Sequence, residues 1–484
     1  MPSLPHLSDS SGDLPTLKPL CAVIGALMVC ILATAGLVPS VRVGTWILGV
    51  SSFTFLFAGR AASRDSLHPV RIFGALWCFC LALASMRLFP LMSAWSSRTW
   101  LCVLTALCSF PFGVWIASRL LAQPSSIHRM PVVESIRERR ILAVSALCLV
   151  VGLSALAYEY WLIGEIPILS DNPDAARMKL FGVAGQVDDQ QFNNIWVKVV
   201  HPFVAFNKYA IFLALLVLLR TAGNNRKLIF QSCLIVLLGV VAFGSQAARS
   251  FLVEIAIVSL ALVHYLRRRI GSRAVCIAVT ALFLFVALYG SFRIRQSESA
   301  PLFHRALESS NLPVGGVWDG LAFGYTTVTI SFDVFNRLVD DLQSVQRPSD
   351  GFLFYSFHRM IARANIQEFA LNLYSGESIT PTFLGEFYAD YGYWGVLFGP
   401  LCMGTAYGWV YRRGETRASY YWIYVRAMFL QMLMFFPYVN LFSQYLTWIF
   451  DLTFMYVLLR FVTRDSALLK GRVRPQFTLS PDTP

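Results

Sequence analysis

The sequence predicts an all-α, polytopic membrane protein. Composition is the first reason: of 484 residues 56% are hydrophobic and only 14% charged, a balance that excludes an ordinary soluble enzyme. The second is the recurrence of apolar runs of spanning length, about twelve of them. The third is charge order, because arginine and lysine collect in alternate connections between those runs, as the positive-inside rule requires.

Residues 1–17 are rich in Ser, Pro and Asp and read as a disordered cytoplasmic tail. They lack a basic n-region, so the first apolar run is expected to stay as a span. Spans are expected near 19–38, 43–59, 71–89, 100–121, 141–162, 202–219, 228–243, 250–266, 274–291, 393–411, 418–437 and 442–461. Residues 18–464 then form a single transmembrane domain and 465–484 a second disordered cytoplasmic tail. Arg60 and Arg64, Arg137 to Arg140, Arg220 to Lys227, Arg267 to Arg273, and Arg412 to Arg417 fall in every second connection. Both termini are therefore expected in the cytoplasm, and two long loops, about 162–201 and 292–392, outside it. The net charge of +13 is explained by topology and lipid head groups, so no nucleic acid is expected. The ten cysteines sit in apolar spans without metal-ligand spacing, which points to core packing rather than a disulfide framework.

Loops of this length are uncommon without a function. In the second, Val328, Phe332, Phe335, Leu338, Val339 and Leu342 share a helical face, with Asp333, Arg337, Asp340 and Asp341 on another. An amphipathic helix on the outer membrane surface, or capping a cavity, is expected.

The stretch TPTFLGEFYADYGYWGVLFGPLCMGTAYGWVYRR joins a polar segment directly to a span. One helix would carry Glu386 and Asp390 on the same face at the outer surface. Gly395 and Gly399, then Gly404 and Gly408, repeat the spacing that lets a second helix approach closely. Arginines stand at several outer membrane ends: Arg177, Arg249, Arg293 and Arg295. A guanidinium grips phosphate through two parallel hydrogen bonds; the plainer alternative is snorkelling to lipid heads. Arg426 and Asp451 lie deep in their spans and are expected to pair with each other.

Three of these stretches carry a family resemblance. IGEIPILSDNPDAAR, FGSQAARSFLVE and TPTFLGEFYADYGYWGVLFGPLCMG resemble segments of the bacterial oligosaccharide repeat-unit polymerases, the O-antigen polymerase (Wzy-type) family. The similarity runs over about residues 140–460, with Tyr391 where that family usually has Phe. The resemblance implies a multispanning, GT-C-like glycosyltransferase in the bacterial inner membrane; with arginines to neutralise the phosphates and no tight carboxylate cluster, no metal or other cofactor is expected. It would polymerise undecaprenyl-pyrophosphate-linked repeat units into O-antigen or exopolysaccharide at the periplasmic face. Its partners would be those lipid-linked glycans, membrane lipids and a chain-length regulator. On this reading Arg177, Arg249 and Arg293 or Arg295 bind the pyrophosphate. Glu386 or Asp390, or else His358, serves the acceptor hydroxyl. Tyr325, Tyr388 and Glu165 meet the sugars. The competing readings are a flippase for lipid-linked glycans, an O-antigen ligase and a non-enzymatic scaffold.

Overall fold

The computed structural model of the protein describes residues 41–57, 65–88, 92–120, 135–136, 138–183, 195–221, 225–267, 269–295, 317–340, 381–416, 419–441 and 445–464. The helices are α1 (Val41–Phe57), α2 (Pro69–Met86), α3 (Ser97–Leu120), α4 (Glu138–Ile163), α5 (Pro173–Val183), α6 (Ile195–Val204), α7 (Phe206–Arg220), α8 (Arg226–Ser245) and α9 (Arg249–Leu262). They continue as α10 (Ser272–Arg295), α11 (Val317–Asp340), α12 (Leu384–Thr416), α13 (Tyr420–Phe435) and α14 (Tyr445–Val462). The only strand pairing among the described residues is two residues long, Ser135–Ile136 (β1) antiparallel to Thr463–Arg464 (β2).

Local sequence sets the helix starts. Pro69 occupies the first turn of α2, where its missing N–H costs nothing. Asn225 and Ser419 accept from Leu228 N and Trp422 N at 3.3 Å and cap α8 and α13. Val263–Arg267 continues α9 as a π turn.

Among the described residues, seven helices are long and apolar enough to cross a membrane: Pro69–Met86, Ser97–Leu120, Glu138–Ile163, Val199–Arg220, Arg226–Ser245, Ser250–Arg267 and Ser272–Tyr289. The protein is an all-α, multi-pass membrane protein. The expectation of about twelve spans, and of the architecture that goes with that number, is corrected to these seven. The first expected span lies outside the described residues, and the apolar part of α1 is short, Thr45–Phe57. The expected spans at 393–411, 418–437 and 442–461 are helical but are not among the seven. The Gly- and Tyr-rich α12 breaks at Gly392, and α13 has only 16 residues.

Basic helix ends gather on one side. Arg220, closing α7, stacks on Tyr420, opening α13; Arg140 of α4 stacks on Phe461 of α14. This side is the basic face. The opposite side, where Glu165 and α5 follow the end of α4, is the loop face. Phe230, Leu237 and Val241 on α8 are exposed, the pattern of side chains turned to lipid. Small residues join the helices inside. A Cβ at Gly152 would meet the Asn207 side chain of α7, and one at Gly239 would meet Ile211. Ser145 Oγ also donates to Ala210 O at 2.7 Å.

Helices α3 and α12 approach closely. A Cβ at Gly404 would fall on the Phe110 carbonyl, one at Gly408 would meet Val114 and Ala117, and one at Gly113 would fall on the Leu401 carbonyl. The second glycine pair thus acts as expected. The first does not. Gly395 and Gly399 face Phe387 of their own chain, because the backbone reverses at Gly392, whose φ of 58° and ψ of −138° suit glycine alone.

The helix expected on the membrane surface is instead packed into the bundle. On α11, Phe332, Phe335, Leu338 and Val339 are buried, and so are Asp333 and Asn336 on the polar side. The segment before α3 and the first turn of α3 satisfy that polar side. Asp333 Oδ1 accepts from Ser93 N at 3.0 Å and Ser93 Oγ at 3.1 Å, and Asn336 Oδ1 accepts from Ser96 N at 3.2 Å and Thr99 Oγ1 at 2.7 Å. A buried polar group needs such partners, and the sequence pattern alone does not reveal them.

Candidate functional site

The reversal at Gly392 creates the most unusual feature of the fold. Residues 384–391 run back alongside the start of the long second half of α12. Phe387 therefore touches both Gly395 and Gly399, which a straight helix would hold far apart. The segment's beginning reaches mid-bundle: Thr382, Phe383 and Leu384 are fully buried. Phe383 stacks on Phe436 at 4.4 Å and meets Phe73 and Trp77 of α2 edge-on at 6.2 and 5.1 Å. Phe383 N–H donates to Phe436 O at 3.0 Å, and Thr382 N–H to Ser331 O at 3.4 Å. These bonds satisfy backbone outside a regular helix. At membrane depth that is tolerated only where protein or a water-filled cavity surrounds it.

The expected surface segment is therefore folded back into the bundle, from the buried Phe383 to the reversal at Gly392. Glu386 follows Phe383 by three residues and accepts from Asn440 Nδ2 at 2.7 Å. Asn440 belongs to the extension after α13 and is itself buried. Asp390 stands one turn on, half-buried near the reversal. Tyr388 is buried between Phe335 and Tyr393, with ring centroids at 5.9 and 5.7 Å, and its hydroxyl donates to Val339 O at 3.4 Å. Tyr325 is buried too: its hydroxyl donates to Leu83 O at 3.1 Å and accepts from Leu88 N–H at 3.0 Å. It latches α11 to the end of α2.

On the loop face, Glu165 accepts from Ser170 Oγ at 2.6 Å and from Lys179 Nζ at 2.7 Å. The Lys179 and Ser170 hydrogen bonds hold its carboxyl below the usual carboxylate range. Arg177 lies on α5, Arg249 opens α9, and Arg293 and Arg295 close α10. Because α9 and α10 join through a short turn they run antiparallel, so the last three begin or end their helices at the same face. The convergence of their guanidinium groups lies outside the described side chains. His358 lies outside the described residues. Of the residues expected to form the site, Glu386, Asp390 and Tyr388 share the folded-back segment, Glu165 and Arg177 share the α4–α5 region, and Tyr325 stands apart as a latch.

Two buried ionic clusters escaped the sequence reading, and they replace the expected Arg426–Asp451 pair. Arg426 NH2 lies 3.5 Å from Asp65 Oδ2, and its guanidinium stacks on Tyr265 and Tyr411 at 3.8 and 4.6 Å. Asp451 is instead 2.7 Å from Lys208. Each charge found an opposite one elsewhere in the chain, Asp65 in the α1–α2 connection and Lys208 on α7, which linear position within a span does not disclose. The signal overlooked was Lys208 itself, inside the apolar run FNKYAIF. The Arg426 cluster borders a small cavity lined by Leu67, Tyr407, Val410, Phe429 and Leu433.

Comparison with protein-family models, with curated proteins and with solved structures found no match in any of the three.

Proposed function

We propose that the protein is a membrane glycosyltransferase that joins polyprenyl-pyrophosphate-linked oligosaccharide units into a longer glycan. In this reading the loop face is the periplasmic side of a bacterial inner membrane. The observation that carries it is the folded-back segment, residues 384–391. It holds a carboxylate, Glu386, on a buried amide, Asn440, at 2.7 Å. It does so beneath the face at which Arg249, Arg293 and Arg295 begin or end their helices. Glu386 would orient or deprotonate the acceptor hydroxyl. The arginines would stabilise the charge that develops on the departing pyrophosphate. The resemblance of three stretches to the O-antigen polymerase type supports the same assignment.

The test is a deletion strain complemented with Glu386→Gln. Glutamine keeps the contact with Asn440 but cannot take a proton. Single repeat units on the carrier or its acceptor, in place of long chains, are the expected result. Wild-type chain length would remove Glu386 from the chemistry.

A flippase for the same lipid-linked glycans is the second reading. The broken α12 and the ionic clusters inside the spans favour it, since transporters use discontinuous helices and intramembrane charge. A deletion strain with no glycan outside the membrane, instead of single units, selects the flippase.

A further inference from the structure

Lys208, Glu254 and Asp451 come from three helices, α7, α9 and α14, and meet inside the bundle. Lys208 Nζ lies 2.6 Å from Glu254 Oε1 and 2.7 Å from Asp451 Oδ2. Tyr209 donates its hydroxyl to the other Asp451 oxygen. Lys208 is the third residue of α7, Glu254 the sixth of α9 and Asp451 the seventh of α14. The cluster is therefore one to two turns inside the loop-face ends, within the apolar layer.

The charges do not balance. Among the described residues one ammonium faces two carboxylates, and a second ionised carboxylate leaves a net negative charge on side chains only 14% (Glu254) and 8% (Asp451) exposed, an arrangement a low-dielectric interior disfavours. The two acids also differ. Asp451 receives hydrogen bonds from Lys208 and Tyr209. Glu254 Oε1 is buried and touches Lys208 without hydrogen-bond alignment. A second observation points into the cluster. Tyr424 is 1% exposed, and its hydroxyl has no hydrogen-bond partner among the described residues. Its ring packs edge-on to Phe212 at 4.6 Å, one turn along α7 from Lys208. The hydroxyl feels the charges of Lys208, Asp451 and Glu254.

We propose that this cluster is a proton-binding site in which Glu254 carries an exchangeable proton beside the Lys208–Asp451 ion pair. On release, the carboxylic O–H bond breaks, the electron pair stays on the Glu254 oxygen and the proton passes to water. Among the described residues the groups that face the site are Lys208 and Tyr209 on α7, Glu254 on α9, Tyr424 with Tyr421 beyond it on α13, and Asp451 on α14. Of the other elements packed on α7, α4 brings Glu159, already bonded to His201 at 2.7 Å. The charges of α8, Arg226 and Lys227, lie at the basic face. This inference stands apart from the glycosyl-transfer reading.

Infrared difference spectroscopy on the full chain in liposomes tests it. The expected result is a protonated-carboxyl C=O band in neutral buffer that shifts in deuterium oxide. Glu254→Gln should abolish it and Asp451→Asn should retain it. If Glu254→Gln does not fold, Glu254→Asp should move the band. Absence of the band in the wild type, its survival unchanged in the Glu254 variant, or its loss with Asp451→Asn alone each overturns the proposal. Loss of the band when sodium chloride replaces potassium chloride overturns it as well, by showing a metal cation where the proton should be.

Discussion

His264 Nε2 lies 2.8 Å from Asp65 Oδ1, while His264 Nδ1 accepts the Ile270 N–H at 3.0 Å. The second bond leaves Nε2 as the protonated nitrogen, so His264 donates to Asp65. Tyr411 donates to the other Asp65 oxygen at 2.6 Å, and Arg426 stands 3.5 Å from it. One carboxylate thereby ties the α1–α2 connection to the ends of α9 and α12 and to α13. Gly414 leaves room for the arrangement, since a Cβ there would strike the Arg426 side chain. Removing one member of a buried ionic set costs about 3–5 kcal/mol because its partners are stranded. Asp65→Ala should lower the thermal unfolding midpoint of the solubilised protein sharply, and a midpoint within error of wild type would dissolve the latch.

The same region sets an acid limit. Burial lowers the His68 pKa to about 4, against about 6.5 in an unfolded chain. The unfolded state therefore binds the proton first, so the stability from neutral His68 is whole above about pH 6.5 and declines toward pH 4. Burial of Asp65 acts to raise its pKa, but the His264 and Tyr411 hydrogen bonds and the Arg426 charge outweigh it and hold the carboxyl well below the usual range. The Asp65 contribution is present above about pH 3.9 and is lost only in stronger acid. Unfolding midpoints measured from pH 7 to pH 4 should fall for the wild type and stay flatter for His68→Asn. Parallel curves would remove His68 from the acid response.

Close contact of α3 with α12 makes a packing prediction. Gly404→Ala and Gly408→Ala place a methyl against the Phe110 backbone and Ala117 respectively, and overpacking of this kind costs about 1–3 kcal/mol. Gly244→Ala is the control, since no atom lies within 4 Å of a Cβ there. Loss of stability in the first two and none in the control is the expected order in thermal denaturation. Equal midpoints for all three would mean that the two helices are farther apart than described.

Tyr325 separates packing from sugar contact. Tyr325→Phe deletes the hydroxyl shared by Leu83 O and Leu88 N–H, leaving those part-buried groups short of a partner at about 1 kcal/mol. The stability of the purified variant should drop while glycan chain length in complemented cells holds. Shortened chains at unchanged stability would return Tyr325 to the sugar site.

At the phosphate end, Arg249→Lys keeps the charge but loses the two-pronged grip. Complementation with Arg249→Lys should give shorter polymer, and with Arg249→Ala shorter still. Full-length polymer from the alanine variant would leave Arg249 to lipid head groups.

The sequence alone determined that this chain is helical, lives in a membrane and alternates basic with less charged connections. Composition, apolar run length and the Gly404–Gly408 spacing are local properties, and local properties survive in a linear reading. It did not determine how many helices span, because span length depends on where each helix breaks: the apolar part of α1 is only Thr45–Phe57 and α13 has 16 residues. Nor did it disclose that the polar side of α11 is buried, or that Arg426 belongs with Asp65 and Asp451 with Lys208. Those facts rest on which residues distant in the chain come to share a low-dielectric interior. There every charge must find an opposite one, and only the tertiary structure decides which.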